Sequence, residues 1–198
     1  RSSAASDVYK RQAQHPYTRA IRPLDPGAAP DVEFLPDPPV PGAPAHQWWP
    51  PRALHAEWLA EHRPDVLHVH FGFEHFSPAQ LAAALDAQHA HGGAVVVTVH
   101  DLENPHLTDQ GPHRDRLAVL LGRADAVLTL TECAAAEVRE RFGVADAVVV
   151  PHPQIADPVV AEREPRAAVF IKSLRSNVVA DAEFYRAIAR EVPLDVYV

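Results

Sequence analysis

An α/β fold built on a doubly wound parallel sheet is what this sequence predicts, and three observations carry the prediction. Apolar, β-branched runs alternate with stretches of helical periodicity from Pro51 to Val150, the order that yields parallel strands joined by crossover helices. The run Ala94 to Val99 is apolar without alternation, as a strand covered on both faces must be. The residues least expected of a scaffold, His70-Phe71-Gly72, His100-Asp101, Thr131-Glu132 and His152-Pro153, fall where strands end. In open α/β sheets ligands bind outside the carboxyl ends of the strands.

Prolines crowd Pro23 to Pro51, which forbids regular helix and leaves one short extended piece, Val32 to Leu35. Trp48 and Trp49 are expected to pack on the domain, because two free indoles expose large apolar area. Arg52 to His62 carries Leu54, Trp58 and Leu59 at helical spacing, and Pro64 stops the helix. Asp65 to His70 reads as a strand. Ser77-Pro78 starts the next helix, serine as N-cap and proline at the first helical position, and Gly92-Gly93 ends it. After the strand Ala94 to Val99, Leu117 to Leu121 lies in a helical stretch and Ala126 to Leu130 is a strand. Thr131 caps a helix from Cys133 to Phe142 that Gly143 terminates, and the strand Ala147 to Val150 is closed by Pro151.

Gln154 to Arg166 is a polar, proline-containing linker. A strand at Ala167 to Ile171, a helix at Val178 to Val192 and a strand at Leu194 to Val198 then open a second unit. That is too little chain for a closed domain, so the sequence is expected to be a fragment.

Composition narrows the function. The 198 residues suffice for one domain and part of a second, with a core that needs no disulfide or metal staple. A single cysteine, Cys133, excludes a disulfide framework and any CxxC motif and points to a reducing cytoplasm. The net charge of -8, with no basic stripe, argues against a nucleic-acid partner. No apolar run approaches the roughly 20 residues of a membrane-spanning helix. Lysine occurs only at Lys10 and Lys172 while Ala, Pro, Arg and Val abound, a composition typical of high-GC bacterial genomes.

Ser2 to Gln12, SSAASDVYKRQ, resembles the in-frame translation of a transposase adapter used in short-read library preparation. Residues 1–12 are therefore set apart from the fold as a sequencing artefact, as a tag would be. The organisation expected is thus an artefact at 1–12, a first domain at 13–153 lacking its first strand, a linker at 154–166 and the truncated start of a second domain at 167–198.

Four blocks, PDVLHVHFGF, VVVTVHDLENPH, ADAVLTLTECAAAEVRERFGV and VVVPHP, follow one another between Pro64 and Pro153. In this order and spacing they resemble the amino-terminal domain of retaining, nucleotide-sugar-dependent GT-B glycosyltransferases, family 4-like, which have two Rossmann-like domains. HPYTRAI, at His15 to Ile21, is similar to the loop after the lost first strand. The resemblance implies that the acceptor lies against the first domain and the nucleotide diphosphate-sugar mainly against the second, with reaction in the cleft between them. It implies that His100 is the strand-end histidine close to the transferred sugar, with Asp101 orienting it or binding an acceptor hydroxyl. His15, His70, Gly72 and Glu132 fall on the acceptor side. Lys172 and Arg175 follow the first strand of the second domain, where the family places a basic pair on the donor diphosphate, here in reversed order.

No protein-bound cofactor or metal is implied, the nucleotide diphosphate-sugar being a substrate. The acceptor is expected to be a carbohydrate, a lipid or a small molecule. Many relatives act on lipid or polysaccharide acceptors, so peripheral association at the inner face of a membrane is compatible with a cytoplasmic enzyme. The family's donor-side glutamates are not in the chain, so the fragment is expected to be inactive.

Without the resemblance the residues leave other readings open. His68 and His70 share a strand face, so the pair could chelate a metal if His75, His100, His106 or His152 completed the set. That describes a metal-dependent hydrolase. His68, inside the strand, otherwise reads as a packed, hydrogen-bonded histidine. His100 could merely cap backbone, Asp101 could close a turn, Glu132 could serve the helix dipole, and Lys172 and Arg175 could be a solvated pair. A noncatalytic sugar- or nucleotide-binding module is the third alternative.

Overall fold

The computed structural model describes residues 3–6, 16–22, 25, 32–35, 38–43, 50–160, 162, 164–171 and 178–197. His15, Trp48, Trp49, Lys172 and Arg175 lie outside the described residues, and so do the expectations placed on them. The chain divides into two units, Arg1–Leu102 with Gly111–Ala156, and Glu103–Gln110 with Asp157–Val198.

The first unit contains a parallel sheet of β1 (Ser3–Ser6), β2 (Glu33–Phe34), β3 (Val66–Val69), β4 (Ala94–Val99), β5 (Ala126–Thr129) and β6 (Val148–Val149). Their order across the sheet is β2-β1-β3-β4-β5-β6, and each neighbouring pair is parallel. Parallel neighbours require crossover connections, supplied by α2 (Ala56–His62), α3 (Pro78–Ala90), α4 (Gly111–Leu121) and α5 (Glu132–Phe142). This is the expected doubly wound α/β arrangement, Rossmann-like in kind. The strand order reverses between β1 and β3, and a reversal of this type opens a crevice at the carboxyl ends of the two strands.

Four differences from the sequence reading have local causes. The place expected to lack a strand is filled by β1, whose Ser6 registers with His68 of β3. Such pairing uses backbone amides and carbonyls, which every residue except proline supplies, so it locates these residues without bearing on the origin of their codons. The segment read as a loop at His15 to Ile21 contains a short helix, α1 (Pro16–Ala20), with proline at its first position. The single helix expected over Arg52 to His62 is a 3-10 turn, Arg52–Leu54, followed by α2, with His55 extended between them (ψ 133°). In the second unit the helix is α6 (Ala182–Ala189), shorter than Val178 to Val192, because Asp181 caps it through a bond from the Glu183 amide (2.9 Å).

Leu54, Leu59, Leu67, Leu81, Leu85, Val95, Leu117 and Leu120 are wholly buried. Leu81 and Leu85 of α3 are four residues apart and Leu117 and Leu120 of α4 three, the spacing of a buried helix face. Each such side chain contributes roughly 1.5–3 kcal/mol relative to exposure. Ser77 and Gln80 form a capping box at the start of α3, with Ser77 Oγ accepting from the Gln80 amide (3.3 Å) and Gln80 Oε1 accepting from the Ser77 amide (2.9 Å). At the other end the wholly buried Gln88 donates from Nε2 to the carbonyls of Pro64 (2.8 Å) and Ala94 (3.2 Å). One amide thus ties α3 to the entries of both β3 and β4.

The second unit pairs β7 (Ala167–Phe170) in parallel with β8 (Leu194–Tyr197), residue 167 opposite 194, and Arg166 bonds Asp195 at 2.7 Å. Phe170 and Tyr197 stack at 4.8 Å between centroids, yet 76% and 52% of their surfaces stay exposed. Two strands and a helix cannot cover both sheet faces.

Candidate functional site

The register of β3 on β4 builds the site. His68 lies opposite Val96, and because side chains alternate along a strand, His68 and His70 share a face with Thr98 and His100. His68 is the packed histidine its place inside the strand predicts: Nε2 meets Thr98 Oγ1 at 2.8 Å. Burial pushes its pKa down to about 4, so the ring is neutral at physiological pH.

His70 and His100 stand just past the ends of β3 and β4, and His70 Nδ1 meets His100 Nε2 at 3.1 Å. One ring donates an N–H and the other accepts, so the pair keeps its bond only while at least one ring is neutral. His70 is 3% exposed. His100, by contrast, is half-buried. Phe71 stacks on His100 with centroids 4.1 Å apart and planes 25° apart. Gly72 follows with φ at +80°, a left-handed conformation that glycine adopts without steric cost, and turns the chain into the 3-10 turn Phe73–His75.

Tyr17, from α1, completes the cluster. Its ring stands edge-on to His70 (5.3 Å), His100 (4.8 Å) and His152 (5.1 Å), an arrangement that matches ring edges to π-faces. Burial raises its pKa, so the phenol stays protonated. His152 follows β6 and donates from Nδ1 to the Pro153 carbonyl at 2.8 Å. Tyr17 entered the sequence reading only inside the HPYTRAI block, with no role of its own, and His152 only as a strand-end residue and a spare metal ligand. Nothing in their local pattern says that a short helix near the amino terminus meets three strand ends.

Asp101 has an exposed side chain, and its carbonyl accepts from His113 Nε2 at 3.1 Å. Glu132 is exposed in the first turn of α5, behind Thr131, whose Oγ1 accepts from the Ala134 amide at 3.1 Å. The structure thus gathers His70, Gly72, His100 and Asp101 at neighbouring strand ends, while Glu132 begins the helix after β5. Among the described residues no three His, Cys, Asp or Glu side chains are grouped to hold a metal ion. The HVH pair is already engaged, His68 with Thr98 and His70 with His100.

A buried phenol, imidazole nitrogens and aromatic rings offer both hydrogen bonds and stacking, which suits a polyhydroxylated ligand. Residues 11–154 match the family model of Glycosyltransferase Family 4. The chain belongs to this family. Glycosyltransferase family 4 membership agrees with the fold, and it makes glycosyl transfer the general activity. Among curated proteins none matches the chain. No helix of the described residues is long and apolar enough to cross a membrane.

Proposed function

We propose that this family 4 glycosyltransferase moves a sugar from a nucleotide diphosphate-sugar to an acceptor hydroxyl with retention of configuration. The carrying observation is the cluster of Tyr17, His70, His100 and His152 rings at the carboxyl ends of β3, β4 and β6. In this reading the first unit presents the acceptor, a carbohydrate, lipid or small molecule, and the second holds the donor as a substrate, with no resident cofactor or metal.

The bond from the anomeric carbon to the diphosphate oxygen breaks while the acceptor oxygen bonds the same carbon on the same face. The acceptor proton passes to the leaving diphosphate, which departs as the nucleotide. Protein groups supply positioning and charge stabilisation. His100 lies nearest the transferred sugar, Asp101 orients it or binds the acceptor hydroxyl, and His15, His70, Gly72 and Glu132 serve the acceptor. Lys172 and Arg175 neutralise the diphosphate as its charge develops. Exposed Phe170, Tyr197 and Phe184 support a larger second domain whose further strands cover them. The unpaired thiol of Cys133 favours a cytoplasmic enzyme, drawn to the inner membrane face if its acceptor is a lipid.

The test uses the full-length protein with a panel of nucleotide sugars, reading acceptor-dependent nucleotide release and the anomeric configuration of the product by NMR. His100→Ala is expected to lower turnover by about 10²–10⁴-fold with an unchanged melting curve. Wild-type turnover in that variant removes His100 from the chemistry, and an inverted product overturns retention.

A further inference from the structure

His113 lies on α4, twelve residues beyond Asp101 in sequence, and is 2% exposed. Two contacts define it. Its Nε2 donates to the Asp101 carbonyl at 3.1 Å, and its ring stacks on Phe73, with centroids 5.6 Å apart and planes 24° apart. Asp101 belongs to the turn that follows β4 and carries His100. Phe73 belongs to the turn that follows β3 and carries His70. One buried side chain therefore touches both turns whose histidines meet at 3.1 Å.

The chemistry of the ring is settled by its partner. A carbonyl oxygen only accepts, so Nε2 carries a hydrogen, and in the neutral ring Nδ1 is a lone pair. That Nδ1 is buried and has no hydrogen-bond partner among the described residues. A buried acceptor without a partner is costly. A phenylalanine would stack on Phe73 equally well without that cost, so packing alone does not account for a histidine here. The single gain from the imidazole is its bond to the strand-end carbonyl.

We propose that His113 is a positioning residue that fixes the spacing of the two strand-end turns and thereby the contact between His70 and His100. The inference rests on the proposed role of His100 for its meaning in catalysis, but its geometry is independent of that role. The bond from His113 to Asp101 joins α4 to the turn that carries His100.

The experiment compares His113→Phe, which keeps the ring and removes the donor, with His113→Gln, whose side-chain amide reaches about as far as Nε2. Long-range proton–nitrogen NMR spectra of the imidazoles are recorded with melting curves. In the wild-type protein His113 is expected as a fixed Nε2–H tautomer; an Nδ1–H tautomer overturns the proposal even if no variant folds. In folded His113→Phe the ring signals of His70 and His100 shift, and His113→Gln restores them. Unchanged signals in His113→Phe, or a folded His113→Gln that fails to restore them, also overturn it. In the full-length enzyme His113→Phe lowers kcat by about 10- to 100-fold with KM within about twofold, because a displaced His100 harms the reacting geometry more than binding. If wild-type enzyme shows no transfer with any donor, the functional reading fails while the NMR outcome still decides the positioning role.

Discussion

His70 and His100 meet across the ends of two neighbouring strands, Nδ1 to Nε2 at 3.1 Å, and His70 is the buried partner of the two. The buried ring is thereby placed to set the tautomer and orientation of the more exposed one, the relation a neighbouring group commonly imposes on a working histidine.

His70→Asn, whose amide can replace Nδ1 in the bond, is expected to retain most transferase activity. His70→Phe, of similar shape but without the bond, is expected to lower kcat by about tenfold or more. Steady-state kinetics on both variants decide the matter, and equal loss in the two would show that ring chemistry beyond this bond is required.

The clip at the foot of β3 and β4 governs stability instead. Gln88→Leu removes donors from the Pro64 and Ala94 carbonyls and is expected to cost about 1–3 kcal/mol. A Cβ at Gly93 would stand 2.2 Å from Gln88 Nε2 and 2.7 Å from the Pro64 carbonyl oxygen. Backbone cannot yield to it cheaply, so Gly93→Ala should cost about 1–3 kcal/mol. Urea unfolding reads both; a midpoint equal to wild type in either variant contradicts the packing described here.

Acid sensitivity begins with His68. Unfolded, its imidazole titrates near 6.5, and burial pushes the folded value down to about 4. Between these values the unfolded chain binds the additional proton, so stability falls as pH is lowered through the window and this contribution is constant above it. The loss is bounded at about 3 kcal/mol. His68→Asn should flatten that part of the curve relative to wild type, checked by urea midpoints from pH 7 to pH 4.

Asp125 acts in a lower window. Its carboxylate accepts from the Val95 amide at 2.7 Å and from His89 Nε2 at 2.9 Å. The Val95 bond first, and the His89 bond second, hold its pKa below the ordinary 3.8. The stability it contributes is present above the unfolded value and is lost as pH falls through the folded one. Asp125→Asn should lower stability at neutral pH and narrow its gap to wild type on acidification below pH 4. A gap that stays constant with pH rules out the titrating role.

Most elements and their order were legible in the residues themselves. Ser77-Pro78, Thr131 and Gly143 mark helix ends through bonds made within a few residues, and a continuous run such as Ala94 to Val99 declares a strand covered on both faces. Signals of this kind are local, and local patterns suffice for strand, helix and the alternation that makes the sheet parallel. The same logic placed His70, Gly72, His100 and Asp101 at strand ends, where a doubly wound sheet binds its ligands.

Tertiary structure alone decided which of these residues meet. The register of β3 on β4 puts His68, His70, Thr98 and His100 on one face and turns a candidate metal pair into two separate hydrogen-bonded rings. Tyr17 and His113 had no legible signature, since one comes from a helix near the chain start and the other from a helix whose pattern speaks only of core. Contacts between residues 30 or more positions apart depend on strand register and on how helices seat on the sheet, which no short stretch of sequence encodes. The chain alone therefore determined a parallel sheet with His70, Gly72, His100 and Asp101 at its strand ends. Its packing determined that His100 meets the buried His70, and that His113 touches the turns carrying both.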